Sequence, residues 1–400
     1  MKTTYKLSLV ALAAALCASS AFAVDVAGIE FHGYSRGGPV LRYDDNIKGG
    51  LILGGDLQKY RLGNEGDNGI ELDLIKNFEA GGMKWKVQYM PVKWGSAAVG
   101  TDQAFVEVSG FSFAPEAKVW AGQRRLRIQD VHIVDNFLLN YGDSQGAGVT
   151  DINLGSAKLG FGVFTGDKFD AAMPTGVKAT RLNADISDIQ TNPGGKLRVL
   201  LTSVSGSGLA GGNTGSGISV SHNQEDFLVK GMTNSLFLQA SNGHARIDGE
   251  FQSIDGIAAG QSVRRIADSL NWQSGAFGGM TLLSYQTNQD DVTGVTTKDT
   301  SVGGRISYAF TTHFKMLAEV GVTSREAPTG DQKLNKITLA PTLSVGQDFW
   351  SRPELRFYVT KANWNDAAAT ANAGTSLAPG FGAGGKTSTT IVGVQYEIWW

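Results

Sequence analysis

One cysteine, Cys17, is all the sequence contains, so no intramolecular disulfide can staple the chain and the disulfide-rich secreted scaffolds are excluded. Proline is also scarce, 9 residues against 53 glycines. Few prolines leave strand ladders uninterrupted, while many glycines suit tight turns and close backbone approaches. Long apolar runs are missing too. Although 42% of the residues are hydrophobic, no stretch beyond residue 23 approaches the roughly 18 consecutive apolar residues of a spanning helix. A helical membrane protein is therefore excluded. Charge of a single sign is absent, with 35 Lys+Arg against 37 Asp+Glu and no basic cluster, so no nucleic-acid partner is expected. The five histidines, His32, His132, His222, His244 and His313, sit in no G-x-S-x-G or comparable frame. Without a nucleophile and its base, no enzyme is expected, and neither is a cofactor.

What is present begins with the first 23 residues, "MKTTYKLSLVALAAALCASSAFA". Lys2 and Lys6, a short apolar run and an Ala21-Phe22-Ala23 ending form the pattern of a cleaved secretory signal peptide. Cys17 is then discarded with it, because Leu16 is too bulky for a lipoprotein cleavage site. Residues 24–400 read as one domain, since no linker divides them.

At the other end, "VGVQYEIWW" places Trp400, Ile398, Tyr396, Val394 and Val392 on one face of a strand. Trp399, Glu397, Gln395, Gly393 and Ile391 fall on the other. One apolar face closed by a large aromatic ring suits a membrane interface better than a protein core.

Similar alternation recurs along the chain. "SVGGRISYAFTTHFKMLAEVGV" sets Val302, Ile306, Tyr308 and Phe310, then Phe314, Met316, Val320 and Val322, against Arg305, Ser307, Lys315 and Glu319. "MKWKVQY" and "NKITLAPTLSVG" repeat the pattern. Strands of about ten residues with aromatics at their ends are the girdle pattern of a transmembrane barrel. Tight turns such as "FEAGGM" and "FTTHF" are followed by polar connections: "SGSGLAGGNTGSGISVSHNQED", "QTNQDDVTGVTTKDT" and "AATANAGTSLAPGFGAGGKTS". The expected fold is all-β, a transmembrane antiparallel barrel with long extracellular loops and short periplasmic turns. At roughly 20 residues per strand and connection, the length allows about 16 to 20 strands and a water-filled lumen.

Several stretches then resemble the maltoporin family of outer-membrane sugar channels. In family order they are "VDVAGIEFHGYSRGG", "KYRLGNE", "VWAGQRR", "DVHIVD", "NPGGKL", "KITLAP", "WSRPELR" and "EIWW". The resemblance implies an 18-stranded homotrimeric barrel in the outer membrane of a Gram-negative cell. Its lumen would pass maltose and maltodextrin-type sugars along a row of aromatic rings, past an inward-folded constricting loop. By residue, it assigns sugar stacking to Tyr34, Trp94, Trp350 and Trp399, with Trp94 matching an aromatic that reaches into a neighbouring subunit. The polar track is Arg36, Arg61, Glu71, Asp130, His132 and Asp135, and the constriction carries Phe137. The physics suits a sugar, whose apolar ring face stacks on aromatics while its hydroxyls meet polar groups.

There are departures from the family. Gly69 and Phe137 stand where it has tyrosines, Val106 stands where it has an arginine, and its slide phenylalanine falls at Leu236 or Phe237. A shorter slide and a thinner polar track are expected. The competing class is a general or other-sugar diffusion porin, of sucrose or glucose type. Other readings stay open for single residues. Tyr34 and Trp85 also fit a girdle, with parity putting Tyr34 inside and Trp85 outside, and Trp350 fits an interface anchor. Asp130, His132 and Asp135 fit a metal or acid–base cluster, but D-x-H-x-x-D sets the two aspartates on opposite faces of a strand, and no metal is expected.

Overall fold

The computed structural model describes residues 24–26, 28–43, 47–253, 255–372 and 385–400. The expected leader, residues 1–23, lies outside the described residues. Alternation in the sequence becomes a wall with two solvents. On the strand Gln332–Ser344, Ile337, Leu339 and Leu343 are 50%, 52% and 50% exposed, whereas Lys336, Thr338 and Thr342 are 5%, 1% and 0% exposed. Apolar side chains point out and polar ones are enclosed, the reverse of a water-soluble sheet.

The described residues form a sheet of 20 strands. Two are three-residue additions, Val24–Val26 and Val40–Arg42. The other 18 make a closed antiparallel barrel, each strand paired with its neighbour along the chain. Closure occurs where the first wall strand, Ile29–Gly37, meets the last, Ser388–Trp399, with Tyr34 opposite Trp399 and Arg36 opposite Glu397. Trp400 extends the seam by exchanging backbone hydrogen bonds with Gly33 at 3.1 and 3.2 Å. A closed sheet leaves no edge for another chain to pair with.

Turns such as 81–82, 193–194, 275–276 and 312–313 sit at one end, and described parts of the longer segments, 47–68, 124–144, 166–177, 244–253 and 365–372, at the other. Two segments expected as long loops are mostly strand. Thr214–Gln224 occupies half of the first, and Phe277–Asp290 with Thr296–Thr311 occupies most of the second, leaving 208–213, 225–226 and 291–295 as connections. The reason is physical. Where strands run past the apolar band, both faces meet water, so hydrophobic alternation vanishes while the hydrogen-bond ladder continues. Of the third, 368–388, the first residues belong to a short helix, Asp366–Asn372, and the last, Ser388, begins the final wall strand; its residues 373–384 lie outside the described residues.

A single inward loop was expected; among the described residues, three segments stand out as folded inward. The first runs through 47–68, where Leu51, Leu53, Tyr60 and Leu62 are at most 2% exposed. Tyr60 lies flat on the wall opposite Gly303 and Gly321, a registered pair whose ideal Cβ atoms would stand 2.4 and 2.3 Å from its ring. Only glycine permits that approach. The second is the hairpin Arg127–Val131 with Asn136–Asn140. The third is 244–253, held with the hairpin by Gln239, whose amide donates to the carbonyls of Leu138 and Ile247 at 2.7 and 3.0 Å. Apolar clusters seal each segment to the wall, for example Val131, Ile133, Val134 and Leu138 against Phe237, Met280 and Phe349. What remains open is a channel beside the seam.

Candidate functional site: an aromatic track in a charge-paired lumen

The barrel closure dictates which side chains share the channel. Tyr34 and Trp399 are cross-strand partners, and Glu71 faces Tyr34 from the strand Gly69–Ala80. Trp94 ends the next strand, Met83–Trp94, opposite Gly69. Trp350 comes from the turn after Gln332–Ser344. The hairpin supplies Asp130, His132, Asp135 and Phe137, and the first inward segment supplies Arg61. All of these, with Arg36, line one cavity of about 1060 Å³.

The aromatic rings form a line. Trp94 lies 6.2 Å from Tyr34, and Trp399 lies 6.5 Å from Trp350. His132 bridges the lower pair, 5.2 Å from Trp350 and 5.8 Å from Trp399. Trp94 therefore faces the lumen of its own barrel, where Arg36 stacks on it at 4.7 Å. This corrects the expectation of an aromatic directed at a neighbouring subunit. It also changes the reading of Gly69, whose ideal Cβ would stand 2.0 Å from the Trp94 ring. The space beside Gly69 is filled by a ring from the neighbouring strand. Of the two candidates for the slide phenylalanine, Leu236 points outward and Phe237 inward, where it is 1% exposed beneath the hairpin. Trp400 points away from the channel and packs on Phe31 at 5.4 Å.

Behind the track the charges are paired. Glu65 takes Arg36, Lys59 and Arg61 at 2.7, 2.7 and 3.0 Å. Glu397 accepts from the Tyr34 hydroxyl at 2.9 Å and from Arg352 at 2.8 Å, and it also pairs with Arg356. Arg61 donates to the Tyr34 hydroxyl at 2.6 Å, which fixes the ring's orientation. The side chains of Arg61 and His132 are only 3% and 5% exposed. These two brace the track, while Asp130 and Asp135, at 33% and 35%, reach the lumen. Burial alone would raise the Asp135 carboxyl; Arg61, Lys59 and Arg36 outweigh it and hold the group below the usual carboxylate range. The two aspartates do not sit on opposite faces of a strand. The strand ends at Val131, a 3-10 turn spans His132–Val134, and Asp135 adopts φ +56°, so both carboxylates line the same cavity.

The same cavity holds three arginines whose pairings sequence reasoning missed. Arg125 grips Glu71 with two bonds of 2.7 and 3.1 Å and also pairs with Asp102. Arg127 pairs with Asp143 at 2.7 Å and lies over Phe137 at 5.7 Å. Arg246 holds Asp248 and Glu250 at 2.6 and 2.9 Å. The run Arg124-Arg125-Leu126-Arg127 just before "DVHIVD", and the alternating Arg246, Asp248 and Glu250, were the signals available. Such an arrangement offers hydroxyl-rich solutes many hydrogen-bonding groups and no net charge ladder.

A closed barrel with a lipid-facing exterior and a polar lumen narrowed from within defines an outer-membrane porin, a diffusion channel. The chain belongs to the LamB porin family, whose sequence model matches residues 29–400. It is also similar to solved porins. The outer-membrane expressed OmpT of Vibrio cholerae shares 8% identity over 94% of this chain and 100% of that one, with a TM-score of 0.43. The anion-selective porin from Comamonas acidovorans shares 12% over 92% and 100%, with a TM-score of 0.47.

Proposed function

We propose that this porin passes malto-oligosaccharides and related neutral sugars passively across the outer membrane. The observation that carries the reading is the line of four aromatic rings, Trp94, Tyr34, Trp399 and Trp350, facing paired charges in one cavity. A pyranose can stack its apolar face along such a line while exchanging hydroxyl hydrogen bonds with Glu71, Asp130, Asp135 and Arg125. Each contact is weak and repeated, as conduction requires. Lining charges of both signs in mutual pairs disfavour a strongly ion-selective role.

The working unit is proposed to be a homotrimer. Strand Lys118–Gln123 has 6 residues and Lys158–Thr165 has 8, against 16 in Thr296–Thr311. Six residues rise roughly 20 Å along the strand, and a tilted strand of that length falls short of the roughly 25 Å apolar band. Another subunit covering this low side of the wall removes the mismatch.

Planar-bilayer conductance tests the reading. Maltose, maltotriose, sucrose and glucose are titrated against single-channel current, and maltotriose is expected to reduce it in a saturable way. If no sugar reduces the current at tens of millimolar, the general diffusion porin replaces this function.

A further inference from the structure

A second cavity opens at the loop end of the barrel, on the far side from the aromatic track. It measures about 520 Å³ and lies between the first inward segment, the 244–253 segment and the wall strands Gln261–Ser274, Phe277–Asp290 and Thr296–Thr311. Its chemistry differs from that of the lumen. Among the described residues no aromatic ring lines it; instead four side-chain amides do, those of Gln252, Gln261, Gln286 and Asn288. Most of its charges are matched, Asp56 with Arg265 at 2.6 Å, Arg325 with Asp299 at 2.7 Å and Arg246 with Asp248 at 2.6 Å, while the Asp290 carboxylate at the mouth accepts from the Val292 and Thr293 backbone.

Two of the amides are held in place. Arg265 donates to Gln286 at 2.6 Å, the Gln286 amide donates to Asn288 at 2.6 Å, and the Asn288 amide donates to Asp299 at 3.1 Å. This relay leaves one N–H on each amide unspent. Among the described residues, the side-chain amides of Gln252 and Gln261 make no hydrogen bond to protein. Neutral groups that both donate and accept complement hydroxyls, which also do both. They offer nothing special to an ion. Arg246 lines this cavity and the main lumen alike, so a solute leaving one meets the other.

We propose that this amide-lined cavity is a capture vestibule for neutral polyhydroxylated solutes, which collects a sugar at the loop end and passes it beyond Arg246 to the aromatic track. The inference rests on the sugar-channel reading and adds to it a second, weaker site ahead of the first. A site on the approach path alters rates without altering the affinity of the track. Its removal slows arrival from the loop side and leaves the equilibrium constant of block untouched.

The test uses the full-length protein in planar bilayers with maltotriose added to one side at a time, and compares wild type with the double variant Gln252→Leu, Gln261→Leu. An oligomer band on unboiled gels and an unchanged sugar-free conductance establish that the variant is assembled. The expected result is a fall of about three-fold or more in the blocking rate from the loop side. The rate from the turn side and the half-block concentration with sugar on both sides should stay as in wild type. Gln252→Asn, Gln261→Asn, which keeps the amides, should recover most of the rate. If wild type is blocked by maltotriose and the leucine variant shows the same loop-side rate, the vestibule is overturned while the channel function stands. Equal slowing from both sides also overturns it, since the amides would then act within the lumen. Absence of block in wild type removes the sugar-channel reading and this inference together.

Discussion

Gly69 and Trp94 act as one unit across two strands. A tyrosine at position 69 would collide with the indole, whose atoms already stand 2.0 Å from where a Cβ would be. On the proposed sugar-channel reading, the ring that the maltoporin pattern carries on one strand is carried here by the registered partner on the next. Removing it deletes one stacking surface of about 0.5–1.5 kcal/mol, or roughly a two- to ten-fold change in affinity. Trp94→Ala is accordingly expected to raise the maltotriose half-block concentration by that factor. Trp400→Ala supplies the contrast, because this ring packs on Phe31 and extends the seam through Gly33. It should reduce the yield of assembled protein and leave sugar block intact in what assembles. If the effects of the two variants are interchanged, the assignment of faces near the seam is wrong.

At the level of elements, the channel's width is set by contacts between the hairpin and the 244–253 segment. The Asn140 amide donates to Asp143 at 3.3 Å and to Glu250 at 2.5 Å, so it bridges the two segments. Burial, then the neighbouring Asp248, push the Glu250 carboxyl up to about 7 despite Arg246, with Asp143 and Arg181 also facing it. Such a group is neutral below that value and charged above it. Lowering the pH through about 7 therefore removes one negative charge from the lumen, and reversal potentials should shift toward anion preference. Glu250→Gln is expected to abolish that step and to fix the low-pH selectivity at all pH values. The stability effect has the same origin. A carboxyl raised on folding stabilises the folded state at acid pH, and that contribution is lost as pH rises from the ordinary glutamate range to about 7. A wild-type selectivity that stays flat between pH 5 and 9 would contradict the role of Glu250.

Taken whole, the molecule is a closed sheet whose every wall strand has two partners, so detergent finds no edge from which to unzip it. Unboiled protein should migrate on gels as a compact oligomer and boiled protein as a monomer. Identical bands in both samples, without proteolysis, would count against the architecture. The same closure explains how the lumen tolerates so many charges. Glu397 and Glu354 are fully enclosed, yet each meets Arg352 and Arg356, and Lys315 completes the group at 2.6 Å from Glu354. For a charge enclosed among opposite partners, their attraction and hydrogen bonds offset the desolvation cost that would fall uncompensated on an isolated one.

Local periodicity determined the wall. A step of two residues fixes which side chains face lipid, because adjacent residues of a strand point in opposite directions, and that rule alone separates Trp399 from Trp400 and Tyr34 from Phe31. Closure follows from the same rule, since a closed barrel returns the last strand to the first and sets Tyr34 opposite Trp399. Only the tertiary structure decided what fills the barrel. The burial of Tyr60 against Gly303 and Gly321 and the pairing of Arg125 with Glu71 join segments far apart in the chain, and the inward hairpin alone turns Asp130 and Asp135 to one cavity. Such contacts leave no periodic trace, because an inward segment takes its conformation from the wall it meets and not from its own alternation.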